Sequence, residues 1–307
     1  MRSILHFLRF GKLVGSAAGG TSVSPMIIDI HPHVISTDTV RYPNAPIGGH
    51  KSDWSKKRPV GVAQMIAAMD QAGIAKAALV QASTCYGHDN SLVADAVAAH
   101  PDRFTGVFSV DVLAPDAVQK INYWVARKLT GLRLFTAGST MPNQADWVDD
   151  PRSFSAWQCA SDMGIPVCMQ MTVEAIPQLI VMLERFPNAK VVLDHLAKPS
   201  LADGPPYLGA AYVFKLASYR NLYLKLTPRT VAEAKNGHAT WASFFPALVS
   251  KFGAARIAWG SNFPASEGSL SELLKSTQQG LAVLSAEVRE WIFSKTALTL
   301  YPTLAGK

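Results

Sequence analysis

From Met26 onward the chain alternates short, continuous apolar runs with longer stretches in which apolar residues recur every three or four positions. The continuous runs are Met26–Ile30, Ala77–Gln81, Thr105–Val110, Gly131–Phe135, Pro166–Met171, Lys190–Leu193, Leu222–Leu226 and Arg256–Trp259. Runs of about five apolar residues without alternation are what strands buried on both faces of a parallel sheet look like. The stretches between them read as helices. Val62–Ala72 sets Met65, Ile66 and Met69 on one face and stops at Gly73, and Leu92–His100 stops at Pro101. Val173–Phe186 carries Ile176, Leu179, Ile180 and Leu183 at helical spacing before Pro187, and Ala286–Leu300 closes the pattern.

Eight strands joined by helical crossovers, with no glycine-rich phosphate loop and no internal repeat, predict a (β/α)8 TIM barrel rather than a doubly wound sheet. Residues 26–307 then form the barrel domain. The first 25 residues differ from the rest: Arg2, Arg9 and Lys12 precede any acidic residue, and Gly, Ser and Ala crowd the end of the segment. A leader would read this way, and so would a start codon placed upstream of Met26. The segment is treated as an extension and is too interrupted by charge to span a bilayer. Val34–Arg58, with Pro43, Pro46, Gly48 and Gly49, cannot be regular throughout and is expected to be an active-site loop after strand one.

Barrel enzymes carry their chemistry at the C-terminal ends of the strands. The first run ends Asp29-Ile30-His31-Pro32-His33, and alternation sets both imidazoles on one side, able to converge on one metal or one oxygen. The fourth run holds Arg133, which is costly to bury without an anion; a core carboxylate or a substrate carboxylate would each serve. The sixth is followed by Asp194-His195 and then Lys198, while the seventh supplies Lys225 and Arg229, two cations expected on the same rim. Strand eight ends Trp259-Gly260-Ser261-Asn262-Phe263-Pro264. His88, in the loop after strand two, either lines the pocket or caps the loop.

Composition adds limits. At 307 residues, with 49% hydrophobic and 17% charged, the chain is globular and has no tract of the kind that marks disorder. The formal charge of +7 is scattered, and its densest stretch, Lys51–Arg58, contains Asp53 and Trp54. A solvated loop explains that cluster more cheaply than a nucleic-acid groove, and an anionic small-molecule substrate fits the balance equally well. Cys85, Cys159 and Cys168 form no close-spaced pair, which argues against a disulfide scaffold or a structural zinc and for a reducing, cytoplasmic setting. Neither nucleic acid nor membrane is expected as a partner; a homodimer is the assembly kept open.

The combination of Asp29-x-His31-Pro32-His33, Asp194-His195, Leu224-Lys225-Leu226 and Trp259-Gly260-Ser261-Asn262-Phe263-Pro264 resembles the amidohydrolase-related proteins, nearest the sugar-lactone and pyrone-dicarboxylate lactonase branch. The resemblance runs from about Met26 to Pro302 and implies a distorted barrel that hydrolyses a lactone or similar cyclic ester of a small acidic or polyhydroxylated compound. It implies His31, His33 and His195 as catalytic histidines and Arg133 on the substrate; the strand-end reading adds Asn262 to the catalytic set and Lys225, Arg229 and His88 as further candidates on the substrate. Asp29 would support a histidine from behind. The family's strand-eight aspartate, a general base, is replaced by Asn262, whose amide orients water but does not deprotonate it. Strand five offers no histidine and strand four no lysine, so a two-metal centre is not expected. Either no cofactor is needed, or one divalent ion, zinc before others, sits among His31, His33 and His195. Three rivals share the fold: a metal-dependent decarboxylase of a small carboxylic acid, a lactone isomerase, and a silent ligand-binding barrel.

Overall fold

The computed structural model describes residues 26–136, 138–140 and 144–306; the expected N-terminal extension over residues 1–25 lies outside the described residues. Eight parallel strands follow one another in sequence order: β1 (Ile27–Asp29), β2 (Ile74–Val80), β3 (Phe104–Ser109), β4 (Leu129–Phe135), β5 (Val167–Gln170), β6 (Val191–Asp194), β7 (Leu222–Leu226) and β8 (Ile257–Trp259). Each of the eight apolar runs forms a strand, so the expected TIM barrel is the fold found. The main difference is β2, which starts at Ile74, three residues before the run Ala77–Gln81: Lys76 interrupts the apolar pattern, yet it pairs with Ile28 of β1 just past a register shift.

All residues of β3, β5, β6 and β8 are buried, as parallel strands covered on both faces must be. Alternation separates two cores. Ile28, Ala78, Val80, Val107, Cys168, Val192 and Ala258 fill the barrel interior, whose floor is closed by Leu300, Tyr301 and Leu304 from the chain's last turns. Their neighbours Ala77, Leu79, Phe108, Met169, Val191 and Leu193 face outward into the layer shared with the helices.

The helices show why they start and stop. Val62–Ala72 buries Met65 and Met69, one turn apart, and ends where Gly73 takes φ 71°, a left-handed cap that costs glycine little. Leu270–Gly280 begins at a reciprocal cap: Ser269 Oγ accepts from the Glu272 amide at 3.2 Å, and the Glu272 carboxylate accepts from the Ser269 amide at 2.8 Å. The expected helix over 286–300 is present but contains one wide π turn, Trp291–Lys295, which brings Phe293 to 5.8 Å from the Trp259 ring.

Ring closure is sparse. Successive strands from β1 to β8 are joined by ladders, whereas β8 meets β1 through the Ile30 amide donating to the Trp259 carbonyl at 3.2 Å. Just above it, the Ser261 amide donates to Asp29 Oδ1 at 2.8 Å and the His33 amide to the Phe263 carbonyl at 2.8 Å. This seam lies directly under the strand-end histidines. Among the described residues, no helix is long and apolar enough to cross a membrane.

Candidate active site

A cavity of about 420 Å³ opens at the C-terminal end of the barrel. His33, Arg133, His195, Arg229 and Asn262, all marked out by the sequence, stand in its wall. So do Trp54, Ser139, Gln170 and Lys198, which sequence reasoning did not assign to the site. Gln170 had a legible signal, since it is a polar residue near the end of an apolar strand. Trp54 sits in the short helix Asp53–Lys57, within the segment after β1 expected at the active site, and Ser139 comes from the loop after β4, where nothing in its spacing marks it.

The three histidines form a row. His31 lies between the other two, with ring centroids 5.0 Å from His33 and 5.0 Å from His195. It is fully buried beneath the cavity wall, and among the described residues neither ring nitrogen has a hydrogen-bond partner; Nδ1 is 4.0 Å from Asp194 Oδ2. His33 Nδ1 lies 2.7 Å from the Val80 carbonyl and must donate to it, which leaves Nε2 as the acceptor of the neutral ring. His195 Nδ1 lies 2.9 Å from Thr227 Oγ1. Burial, together with the nearby Arg133, holds both His33 and His195 down at about 3. Burial and then the Lys225 and Arg133 charges hold His31 well below its ordinary value as well. All three rings are therefore neutral near pH 7.

Beneath the rings runs a buried ion triad. Asp194 Oδ1 is 2.7 Å from Lys225 Nζ, and its Oδ2 is 3.2 Å from Arg133 Nε. Burial raises the Asp194 carboxyl, but Lys225 and Arg133 outweigh burial and keep it below its usual range. This corrects the expected place of Lys225. It is fully buried inside the barrel against Asp194, not on the rim, so its charge is committed to the core. Arg133 meets both expectations for a cation in that strand: it pairs with the core carboxylate, binds Gln170 Oε1 at 3.1 Å through Nη2, and still faces the cavity. His88 lies apart, in the wall of a neighbouring cavity.

Asp29 supports backbone rather than a ring. Its Oδ1 accepts from the His31 amide at 2.9 Å and from the Ser261 amide at 2.8 Å, fixing both strand ends at once. Burial pushes its carboxyl up to about 6, against the lowering effect of those bonds. Across the seam, Arg58 donates to the carbonyls of Pro264 and Ala265, each at 3.1 Å, and so ties the long loop after β1 to the loop after β8.

The turn after β6 is unusual. His195, Leu196, Ala197 and Lys198 take φ of 53°, 54°, 57° and 56°, four successive left-handed residues of which none is glycine. Each costs about 1–2 kcal/mol in isolation, so the surroundings must over-determine the turn. They do: Leu196 and Ala197 are fully buried, Thr227 holds the His195 ring, and Lys198 Nζ donates to the Ser139 carbonyl at 2.7 Å. Burial, then Arg229 and Arg133, lower the Lys198 ammonium. A single turn thus delivers an imidazole and a cation to the same wall.

The donor set is a poor fit for a divalent ion. Among the described residues, no three His, Cys, Asp or Glu side chains converge as metal ligands. The carboxylate nearest the histidines is neutralised by Lys225 and Arg133, and strand eight offers a neutral amide at Asn262. Two buried cations beside three neutral imidazoles repel further positive charge.

These features describe a TIM-barrel protein with a histidine-lined, cation-rimmed pocket at the strand ends. The amidohydrolase family model matches residues 28–303, and the chain belongs to that family. An L-fucono-1,5-lactonase from Burkholderia ambifaria is 30% identical over 122 residues, 39% of this chain. The match spans only 42% of that relative's length. A Pseudomonas putida protein put forward as a 2-pyrone-4,6-dicarboxylic acid hydrolase superposes with a TM-score of 0.72 at 20% identity, covering 91% of this chain and 98% of its own. An amidohydrolase from Burkholderia multivorans, crystallised with zinc, gives 0.68 at 20% identity, covering 90% of this chain and 99% of its own. At such identities the solved structures establish the shared fold.

Proposed function

We propose that this protein is a hydrolase that opens a lactone or similar cyclic ester bearing a carboxylate. One observation carries the reading: the cavity wall combines two neutral imidazoles with Arg133, Lys198 and Arg229 and contains no carboxylate among its described residues. A pocket so biased selects an anion and leaves the histidines free to act on an uncharged carbonyl. The name of the lactonase relative and that of the pyrone-dicarboxylic acid hydrolase neighbour support the same class.

In this reading the cations hold the substrate carboxylate. Thr227 donates to His195 Nδ1, so that His195 presents Nε2–H to the ester carbonyl oxygen. Water attacks the carbonyl carbon and gives its proton to His33 Nε2. Asn262, whose side chain contacts His33, accepts from Nε2 once it is protonated and steadies the imidazolium. Collapse of the adduct breaks the ring C–O bond, and His33 returns the proton to the departing oxygen. A bound carboxylate also offsets the Arg133 charge that depresses His33, which makes the base stronger when substrate is present.

The test is a panel of aldonolactones and carboxylated lactones, assayed with and without chelator. Turnover of carboxylated lactones that survives chelation, and is lost in His33→Gln and in His195→Gln, is the expected result. Turnover only in Asn262→Asp would mean the natural chain is a binder. Turnover abolished by chelator and restored by zinc would replace the side-chain mechanism with a metal-dependent one.

A further inference from the structure

Arg133 is also the wall of a second cavity, of about 260 Å³, on the side facing β3 and β4. Its lining differs in kind from that of the first. Val112, Phe135, Trp147 and Ile47 supply apolar surface, and His88 stacks on Phe135 with centroids 6.0 Å apart and planes 15° from parallel. Each polar side chain of this wall is engaged at one atom at least. His88 Nδ1 bonds Ser109 Oγ at 2.9 Å, Asp111 Oδ1 accepts from the Leu113 amide at 3.0 Å, and Gln144 Nε2 donates to the Phe135 carbonyl at 3.2 Å. A polyhydroxylated group would find few open partners there, whereas a flat apolar group would find an aromatic face and aliphatic walls.

Arg133 lines both chambers. Asp194 takes Nε and Gln170 takes Nη2, while no described group takes Nη1. An anion gripped at this guanidinium can therefore carry a substituent into either cavity. We infer that the second cavity is a substrate subsite, and that the ligand is bipartite: a carboxylate at Arg133 and an aryl or short alkyl arm against Phe135 and Trp147. This rests on the anionic-substrate reading above and narrows it, excluding simple sugar lactones as the preferred class.

Binding, not turnover, tests it. Butyrate and 4-phenylbutyrate are titrated into the full-length protein by calorimetry. Enclosure of the phenyl arm predicts that 4-phenylbutyrate binds about tenfold more tightly or better. Ala145→Trp, which replaces a small, exposed side chain in the chamber wall with a bulky one, should bring the ratio of the two dissociation constants close to one. Trp147→Ala, which strips a wall instead of filling the space, should lower the ratio too. Equal affinity in the wild type, a ratio untouched by both variants, or no binding of either acid overturns the proposal. If the ratio behaves as expected while the lactone panel fails, the hydrolase reading falls and the subsite stands.

Discussion

Asp194 and Lys225 meet at 2.7 Å on adjacent strands inside the barrel, both fully buried, and Arg133 completes the group from β4 at 3.2 Å. Removing the shared anion leaves two cations without compensation, whereas removing Lys225 still leaves Asp194 with Arg133. Asp194→Asn should therefore cost about 3–5 kcal/mol of stability, and Lys225→Met clearly less. Urea unfolding of both variants checks the order; equal losses would show that the triad is not the unit described.

Gly260 is required by proximity, not by its own backbone angle. A Cβ there would lie 2.6 Å from His31 Cβ and 3.2 Å from the His31 amide nitrogen. Gly260→Ala should push β8 away from β1, at about 1–3 kcal/mol. Because the two separated strand ends carry His31 and Asn262, kcat/KM should fall roughly 10–100-fold. Steady-state kinetics alongside thermal melts would test this, and full activity in a folded Gly260→Ala protein would remove Gly260 from any positioning role.

Asp29 gives a pH signature. Its carboxyl sits at about 6 in the fold against an ordinary 3.8, so over that window the native state keeps a proton that the unfolded chain releases. Stability from this group falls as pH rises from about 4 to 6 and is level above, a change of about 3 kcal/mol. In the Asp29→Asn variant the side-chain amide oxygen would accept the same two backbone hydrogens without ionising. The stability gap between Asp29→Asn and wild type should thus grow from pH 4 to pH 7 in favour of the variant. The buried histidines, lowered in the fold, act in the opposite direction by withdrawing stability as pH falls below about 6.5, but they are common to both proteins and cancel. A gap that does not change with pH contradicts the assignment.

Arg229 has no acidic partner among the described ion pairs and faces the main cavity. Its charge is available to a ligand in a way that of Lys225 is not. Arg229→Gln should raise KM for carboxylated lactones about tenfold, in line with loss of one charge-assisted hydrogen bond, and leave neutral lactones unaffected. Parallel KM measurements on one acidic and one neutral lactone decide it.

The strands and the histidines are legible in the sequence because each leaves a local mark: a continuous apolar run, then imidazoles two residues apart at its end. Arg133 is legible as a problem, a cation in an apolar strand, although its solution at Asp194 depends on register between β4 and β6. Lys225 is misplaced by sequence reasoning because alternation in a five-residue strand does not say which face is the barrel interior. The turn at His195–Lys198 has no sequence signal at all. Left-handed backbone is ordinarily announced by glycine, and here tertiary contacts impose it on residues that disfavour it. Lys198, visible in the sequence only as a residue that follows strand six, is brought to the cavity by that turn.

The joint between β1 and β8 has a consequence for motion. Every other neighbouring pair of strands is zipped by a ladder, while this one hangs on the Ile30 and His33 amides, the carboxylate of Asp29 and the Arg58 clasp. Local opening begins where backbone bonds are fewest. Amide protons of Ile30, His33 and Ser261 should exchange faster than those in the middle of β3 or β6. The part of the cavity wall that bears His33 and Asn262 is thus the part expected to open first, while strands held by full ladders stay paired.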